Sequence, residues 1–188
     1  MTLLFLFLAY LIGSIPTGLI IGKLFFKIDI RNVGSGNSGA TNAYRIFGHK
    51  AGLSVLFFDV LKGIIATNLS TEPVMQFLLG IFVIGGHVWS VFAGFRGGKG
   101  VATTYGVFLG INPLLVILPL LIYVLTFFLF RISSVSSIVS ILSLIFSAFF
   151  VDINIMTSFL ILLVCPLILW THTENIERII NGEEKKLF

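Results

Sequence analysis

Apolar runs of membrane-spanning character fill most of the chain, and short polar stretches rich in glycine separate them. A transmembrane helix needs about 20 apolar residues, fewer where it is broken or lines a cavity. On that measure the pattern predicts spans over Thr2 to Phe26, Gly52 to Leu69, Val74 to Ala93, Val101 to Ile111, Leu115 to Phe130, Val135 to Val151 and Ile153 to Thr171. The fifth begins just after the Asn112-Pro113 turn. The expectation is an all-α integral membrane protein with about seven transmembrane helices, folded as a single domain over 1–188 without internal repeats. Val101 to Ile111 is too short to cross a bilayer unless Gly98 to Gly100 already lies within the membrane interface. A five-span alternative would drop this segment and one neighbour.

Charge orients these spans. With the N-terminus outside, Lys27, Arg31, Arg45, Lys50, Arg96, Lys99, Arg131, Arg178, Lys185 and Lys186 all fall on the cytoplasmic side, and the outer turns carry only Glu72 and Asp152. An odd span count puts the C-terminus in the cytoplasm as well. Composition agrees with the membrane reading: 57% hydrophobic and 11% charged residues, with mean hydropathy +1.08. The net charge of +4 is dispersed through short loops, which speaks for topology and against a nucleic-acid partner. The first run lacks a basic leader and a small-residue cleavage site, so it reads as an uncleaved span. Cys165, alone in an apolar run, reads as a small packing residue.

Three polar clusters interrupt the pattern, and the topology puts all three on the cytoplasmic face. Val33 to Arg45, VGSGNSGATNAYR, combines flexible glycines, hydroxyls and an arginine, the ingredients of an anion nest. Its Gly34 to Gly39 portion matches a dinucleotide fingerprint, but no βαβ unit surrounds it. A helix starting near Thr41 would add a positive dipole end. The second cluster, Gly94 to Gly100, is one residue short of a Walker loop and has Gly100 in place of the hydroxyl residue, which excludes nucleotide hydrolysis. Its Arg96 and Lys99 set among Gly97, Gly98 and Gly100 suit an anionic ligand. The third cluster runs from His172 through Glu174, Asn175 and Arg178, with His172, Asn175 and Arg178 on neighbouring parts of one helical face.

Asp59 and Lys62 stand three residues apart within the second span, where mutual pairing offsets the cost of burial. Lys62 could also line a site, whereas His87 reads more readily as an interhelical histidine than as a ligand. No residues have metal-ligand spacing, and the acyltransferase signature His-x-x-x-x-Asp is absent, since Ser54, Phe92 and Glu177 stand at that distance from the three histidines.

Taken in order, VGSGNSGATNAYR, Asp59-x-x-Lys62-Gly63, GHVWSVFAGFRGGKGVAT and HxENIxRxxxGxE resemble the motifs of the PlsY family of bacterial membrane glycerol-3-phosphate acyltransferases across nearly the whole chain. Ser38 and Ser90 depart from positions that commonly carry proline. The resemblance implies transfer of a fatty acyl group from acyl phosphate to the 1-hydroxyl of sn-glycerol 3-phosphate, giving lysophosphatidic acid and inorganic phosphate. It implies no metal or cofactor, a place in the bacterial cytoplasmic (inner) membrane among lipid, and functional coupling to PlsX, the enzyme that makes acyl phosphate. On this reading Gly34, Ser35, Gly36, Asn37, Ser38, Asn42, Arg45, Arg96, Gly97, Gly98, Lys99 and Gly100 serve the substrate phosphates. Ser35, Lys99, His172 and Asn175 form the catalytic set, supported by Lys62, His87, Glu174 and Arg178.

Because acyl phosphate already carries a good leaving group, positioning and charge neutralisation can supply much of the acceleration. An unperturbed imidazole titrates near about 6.5, which suits His172 as the base, but a substrate phosphate oxygen could take the proton instead. Two rival classes remain. An organic-phosphate transporter would place its binding groups near the midplane. A noncatalytic membrane scaffold would have no use for three glycine-rich polar clusters.

Overall fold

The computed structural model describes residues 2–187, which form helices joined by short turns. They divide into two compact units, 1–111 and 112–188.

The first unit opens with α1 (Thr2–Ser14) and α2 (Thr17–Ile21), which runs on into a π-helical turn, Gly22–Phe26. The expected first span is therefore broken, with a bend of 44° at Ile15-Pro16. Proline lacks an N–H and cannot continue the helical ladder. The Ile12 carbonyl, which Pro16 deprives of its helical donor, accepts from the Ile15 N–H at 3.3 Å, and at the break the Ile15 carbonyl accepts from the Thr17 N–H at 3.1 Å and from Lys62 Nζ at 3.2 Å. After the polar loop come α3 (Ala40–Phe47), α4 (His49–Thr67) and α5 (Pro73–Val88). Glu72 caps α5 by accepting from the N–H groups of Val74 and Met75, with Pro73 in the first helical turn. A hairpin then leads to α6 (Val101–Ile111), which occupies the short span read from the sequence.

Glycines set the helix crossings in this unit. A Cβ on Gly13 would strike the Val83 backbone and one on Gly86 the Tyr10 backbone, so α1 and α5 approach backbone to backbone. Gly63 and Gly106 do the same for α4 and α6. Close approach of this kind maximises dispersion contacts where lipid removes the hydrophobic drive between helices. Under the polar loop, Ile30, Ala43 and Val55 form a fully buried cluster flanked by Ile21, Ala40 and Phe47.

The second unit comprises α7 (Leu114–Phe130), α8 (Ser133–Ser147), α9 (Ile155–Thr171) and α10 (Thr173–Ile180). Seven serines of α8 are buried. Several return their hydroxyls to carbonyls of their own helix, as Ser136 does to Ile132 at 3.1 Å and Ser143 to Ser140 at 2.6 Å. Self-satisfied hydroxyls leave a surface of small side chains for close packing. Cys165 is buried on α9 with Sγ 3.4 Å from the Ile141 carbonyl of α8, the packing position expected of it.

By length and composition, Pro73–Ala93 is long and apolar enough to cross a membrane unaided. Two bent pairs, Thr2–Ser14 with Thr17–Phe26 and Ile155–Thr171 with Thr173–Ile180, qualify when each is taken as one span. Val101–Ile111, Leu114–Phe130 and Ser133–Ser147 are apolar but shorter.

Candidate functional site

The first polar loop is built around a side chain. Asn42, buried on α3, donates through Nδ2 to the carbonyls of Ile30, Val33 and Asn37 at 3.2, 3.0 and 2.9 Å, and its Oδ1 accepts from the Ser35 N–H at 3.0 Å. Asn37 Oδ1 accepts from the Gly39 N–H at 2.8 Å, and the Gly36 N–H reaches the Val33 carbonyl at 3.1 Å. Gly34 and Gly36 adopt left-handed φ values of 66° and 72°, which residues with a Cβ avoid. A Cβ on Gly34 would also overlap Asn42 Oδ1.

The N–H groups of Ser35, Gly36 and Gly39 bond within the loop, and Asn37 and Asn42 hold its backbone with these side-chain atoms. Of the loop's other polar groups, Ser35 is exposed, Ser38 is buried and Arg45, in the last turn of α3, is half-buried.

The second polar stretch folds back on the end of α5. The N–H of Gly97 donates to the Val88 carbonyl at 3.0 Å and that of Gly98 to the His87 carbonyl at 3.1 Å. The chain thus returns to the level of the last turn of α5 before α6 begins. Gly94 (φ 62°), Phe95 (φ 60°) and Gly100 (φ 87°) carry the turns. Lys99 stands half-buried between the buried Gly98 and Gly100, immediately before α6, while Arg96 is exposed. In the first turn of α6 the buried hydroxyls of Thr103 and Thr104 have no hydrogen-bond partner. Arg45 and Arg96 make no ion pair among the described residues.

Arg31, absent from the sequence-based site, ties loop and hairpin together. Its guanidinium donates to the Ala93 carbonyl at 2.7 Å and to both carboxylate oxygens of Asp29 at 3.0 and 2.8 Å. The hydrogen bond from Arg31 outweighs desolvation and lowers the Asp29 pKa from its ordinary 3.8 to about 2. The signal in the sequence was an Asp-x-Arg pair just before the glycine loop. Deeper in the unit, Asp59 Oδ1 accepts from Lys62 Nζ at 2.8 Å and from Thr17 Oγ1 at 3.1 Å, with His87 Nδ1 at 3.7 Å. All four side chains are buried, so the pairing expected of Asp59 and Lys62 is present.

In the second unit, His172 is buried at the junction of α9 and α10, where the chain bends by 58°. Its Nδ1 lies 2.8 Å from the Ile168 carbonyl. A carbonyl only accepts, so Nδ1 carries the proton and Nε2 is the basic nitrogen of the neutral ring. Asn175 donates to Glu184 Oε1 at 2.5 Å, Ser134 donates to the same oxygen at 2.7 Å, and Arg178 Nε donates to Oε2 at 2.7 Å. Asn175 Oδ1 is buried without a hydrogen-bond partner. Burial alone would raise the Glu184 pKa, but the bonds from Ser134, Arg178 and Asn175 and the charge of Arg178 hold it below its ordinary value. Glu184, which ends the fourth motif, has no role in the sequence-based site, and the structure makes it the group that orients Asn175 and Arg178. Glu174 is only 3.8 Å from Arg178 Nη1 and largely exposed, a peripheral contact.

Comparisons with known proteins place this arrangement. A family model described as glycerol-3-phosphate acyltransferase matches residues 3–182. Glycerol-3-phosphate acyltransferase 2 of Bacillus anthracis is 46% identical over 191 residues, covering 100% of both chains. The glycerol-3-phosphate acyltransferase of Listeria monocytogenes serovar 1/2a is 45% identical over 187 residues, covering 96% of this chain and 93% of the relative. Among solved structures, the glycerol 3-phosphate form of PlsY (YgiH), described as an integral membrane glycerol 3-phosphate acyltransferase, superposes with a TM-score of 0.93 at 36% identity over 98% of this chain and 94% of that one. Its lysophosphatidic acid form gives 0.90 at 34% identity with the same coverage, 98% and 94%. With a matching family model along nearly its whole length and relatives of full coverage, the chain belongs to the glycerol-3-phosphate acyltransferase family of the PlsY type.

Proposed function

We propose that the protein transfers a fatty acyl group from acyl phosphate to the 1-hydroxyl of sn-glycerol 3-phosphate. The hydroxyl oxygen attacks the acyl carbonyl carbon, the carbon–oxygen bond to phosphate breaks, and lysophosphatidic acid and inorganic phosphate leave. Family membership over residues 3–182 is the observation that carries this reading, and the relatives' glycerol 3-phosphate and lysophosphatidic acid forms support it.

Ser35, Ser38, Arg45 and Lys99, with Arg96 at the rim, bind the phosphates. Gly34 and Gly36 give the loop its turn, and Gly97, Gly98 and Gly100 let the hairpin backbone come close to its neighbours. Asn37 and Asn42 hold the first loop in shape. His172 Nε2 accepts the proton of the attacking hydroxyl, and Asn175 orients the same substrate through its carbonyl oxygen. Lys62 acts from behind the site through its pair with Asp59. With both substrates anionic, cations that neutralise their repulsion and fix their approach supply most of the catalysis.

The reading takes 1–188 as one acyltransferase domain with seven spans, N-terminus outside and C-terminus cytoplasmic, in the bacterial inner membrane. Its lipid-borne donor arrives from the acyl-phosphate-forming enzyme PlsX.

The roles are separable by kinetics. Ser35→Ala and Lys99→Ala should raise the KM for glycerol 3-phosphate by about tenfold or more, the loss of a charge-assisted hydrogen bond. His172→Ala should instead lower kcat by about a hundredfold or more with little change in that KM. A large loss of glycerol 3-phosphate affinity in His172→Ala with turnover intact would remove the base assignment and leave the proton to a substrate phosphate.

A further inference from the structure

The buried group of Thr17, Asp59, Lys62 and His87 touches the glycine hairpin through His87. On one side, Nδ1 lies 3.7 Å from the Asp59 oxygen that also holds Lys62 and Thr17. On the other, Nε2 faces Gly98 so closely that a Cβ there would overlap it. A Cβ on Gly97 would likewise run into the His87 carbonyl oxygen, and that carbonyl accepts the Gly98 N–H at 3.1 Å. The ring is 7% exposed, its Nδ1 makes no hydrogen bond, and among the described residues Asp59 is the one carboxylate within 4 Å of it. The absence of side chains at two successive hairpin positions is thus explained by one residue of α5, and Lys99 follows directly.

We propose that His87 is the positioning residue of the hairpin: its ring, backed by Asp59, is the platform on which Gly97 and Gly98 rest, and it fixes where Lys99 stands. The proposal rests on the reading of Lys99 as a phosphate-binding cation. Buried charge is costly in a membrane protein, and a network that anchors one wall of a binding site is a reason to retain it. His87 touches the hairpin and not the substrate, so its removal acts through Lys99.

The test uses the full-length purified protein with palmitoyl phosphate and glycerol 3-phosphate. His87→Ala is expected to raise the glycerol 3-phosphate KM about tenfold with kcat within about threefold, the signature of a displaced binding group. Gly98→Ala is expected to lose most activity and thermal stability, and His87→Ala/Gly98→Ala to regain part of both, because the clash has been removed. An unchanged KM in His87→Ala, or a double variant no better than Gly98→Ala, overturns the proposal. If His87→Ala does not accumulate as folded protein, His87→Asn, short enough to clear a Cβ on Gly98, carries the same comparison. Lys99→Ala measured in parallel separates the two ideas: an unchanged KM there contradicts the phosphate role of Lys99, while suppression of the Gly98→Ala stability loss still decides whether His87 is the platform.

Discussion

At Asn42 one amide gathers the carbonyls of Ile30, Val33 and Asn37, the first two of which also accept from the Val33 and Gly36 N–H groups, and its oxygen takes the Ser35 N–H. Leaving buried polar groups unsatisfied costs about 1–3 kcal/mol each. Asn42→Ala is therefore expected to destabilise the protein by about 2 kcal/mol and to raise the glycerol 3-phosphate KM, read by thermal unfolding in detergent and by steady-state kinetics. Unchanged values would mean that the loop holds its shape without the amide. Asp29 carries a pH dependence whose sign follows from its lowered pKa. Its folded value of about 2 lies below the ordinary 3.8, so its contribution is complete above about pH 4 and is lost as pH falls toward 2. Asp29→Asn should flatten the loss of thermal stability between pH 4 and 2 relative to the parent (about that window). The sequence displayed these residues without their jobs. An asparagine in a glycine-rich loop reads as a ligand or as a loop builder until the carbonyls around it are located, and Glu184 reads as a solvated tail residue until Asn175, Arg178 and Ser134 converge on it.

Among the helices, the apolar runs were legible because lipid exposure is a matter of composition, which any window of sequence records. Even the short α6 was readable as a helix, with the bounds Val101–Ile111. The break at Pro16 was not read, because composition stays apolar across it and the bend depends on Lys62 and Thr17 taking up the Ile15 carbonyl. Ser90 shows the same limit. At this position, where the resemblance led one to expect proline, a bond from the Ser90 hydroxyl to the Ser14 carbonyl ties the hairpin to the end of α1. Adjacent glycines of α5 give a paired test of helix packing. Gly86→Ala pushes a Cβ into the Tyr10 backbone of α1, whereas Gly85→Ala meets only the Trp89 ring at 3.9 Å. The first should destabilise by about 1–3 kcal/mol and the second should be neutral or stabilising by up to about 1 kcal/mol. Equal effects on the melting temperature would contradict the backbone-to-backbone approach of α1 and α5.

For the molecule as a whole, orientation and chemistry are linked in the proposed reading, which has the substrates met on the cytoplasmic side. In a Cys165→Ala background, Glu72→Cys should react with an impermeant maleimide in intact cells and Lys185→Cys only after permeabilisation. The reverse labelling would invert the topology. A phosphate transporter would move glycerol 3-phosphate without changing it, so product formation separates the two classes. The most direct measurement is therefore purified protein in lipid with labelled glycerol 3-phosphate, supplied in parallel with palmitoyl phosphate and palmitoyl-CoA. The account predicts lysophosphatidic acid and inorganic phosphate from palmitoyl phosphate and none from the thioester; failure of the acyl phosphate to yield product, or turnover of the thioester alone, would contradict it.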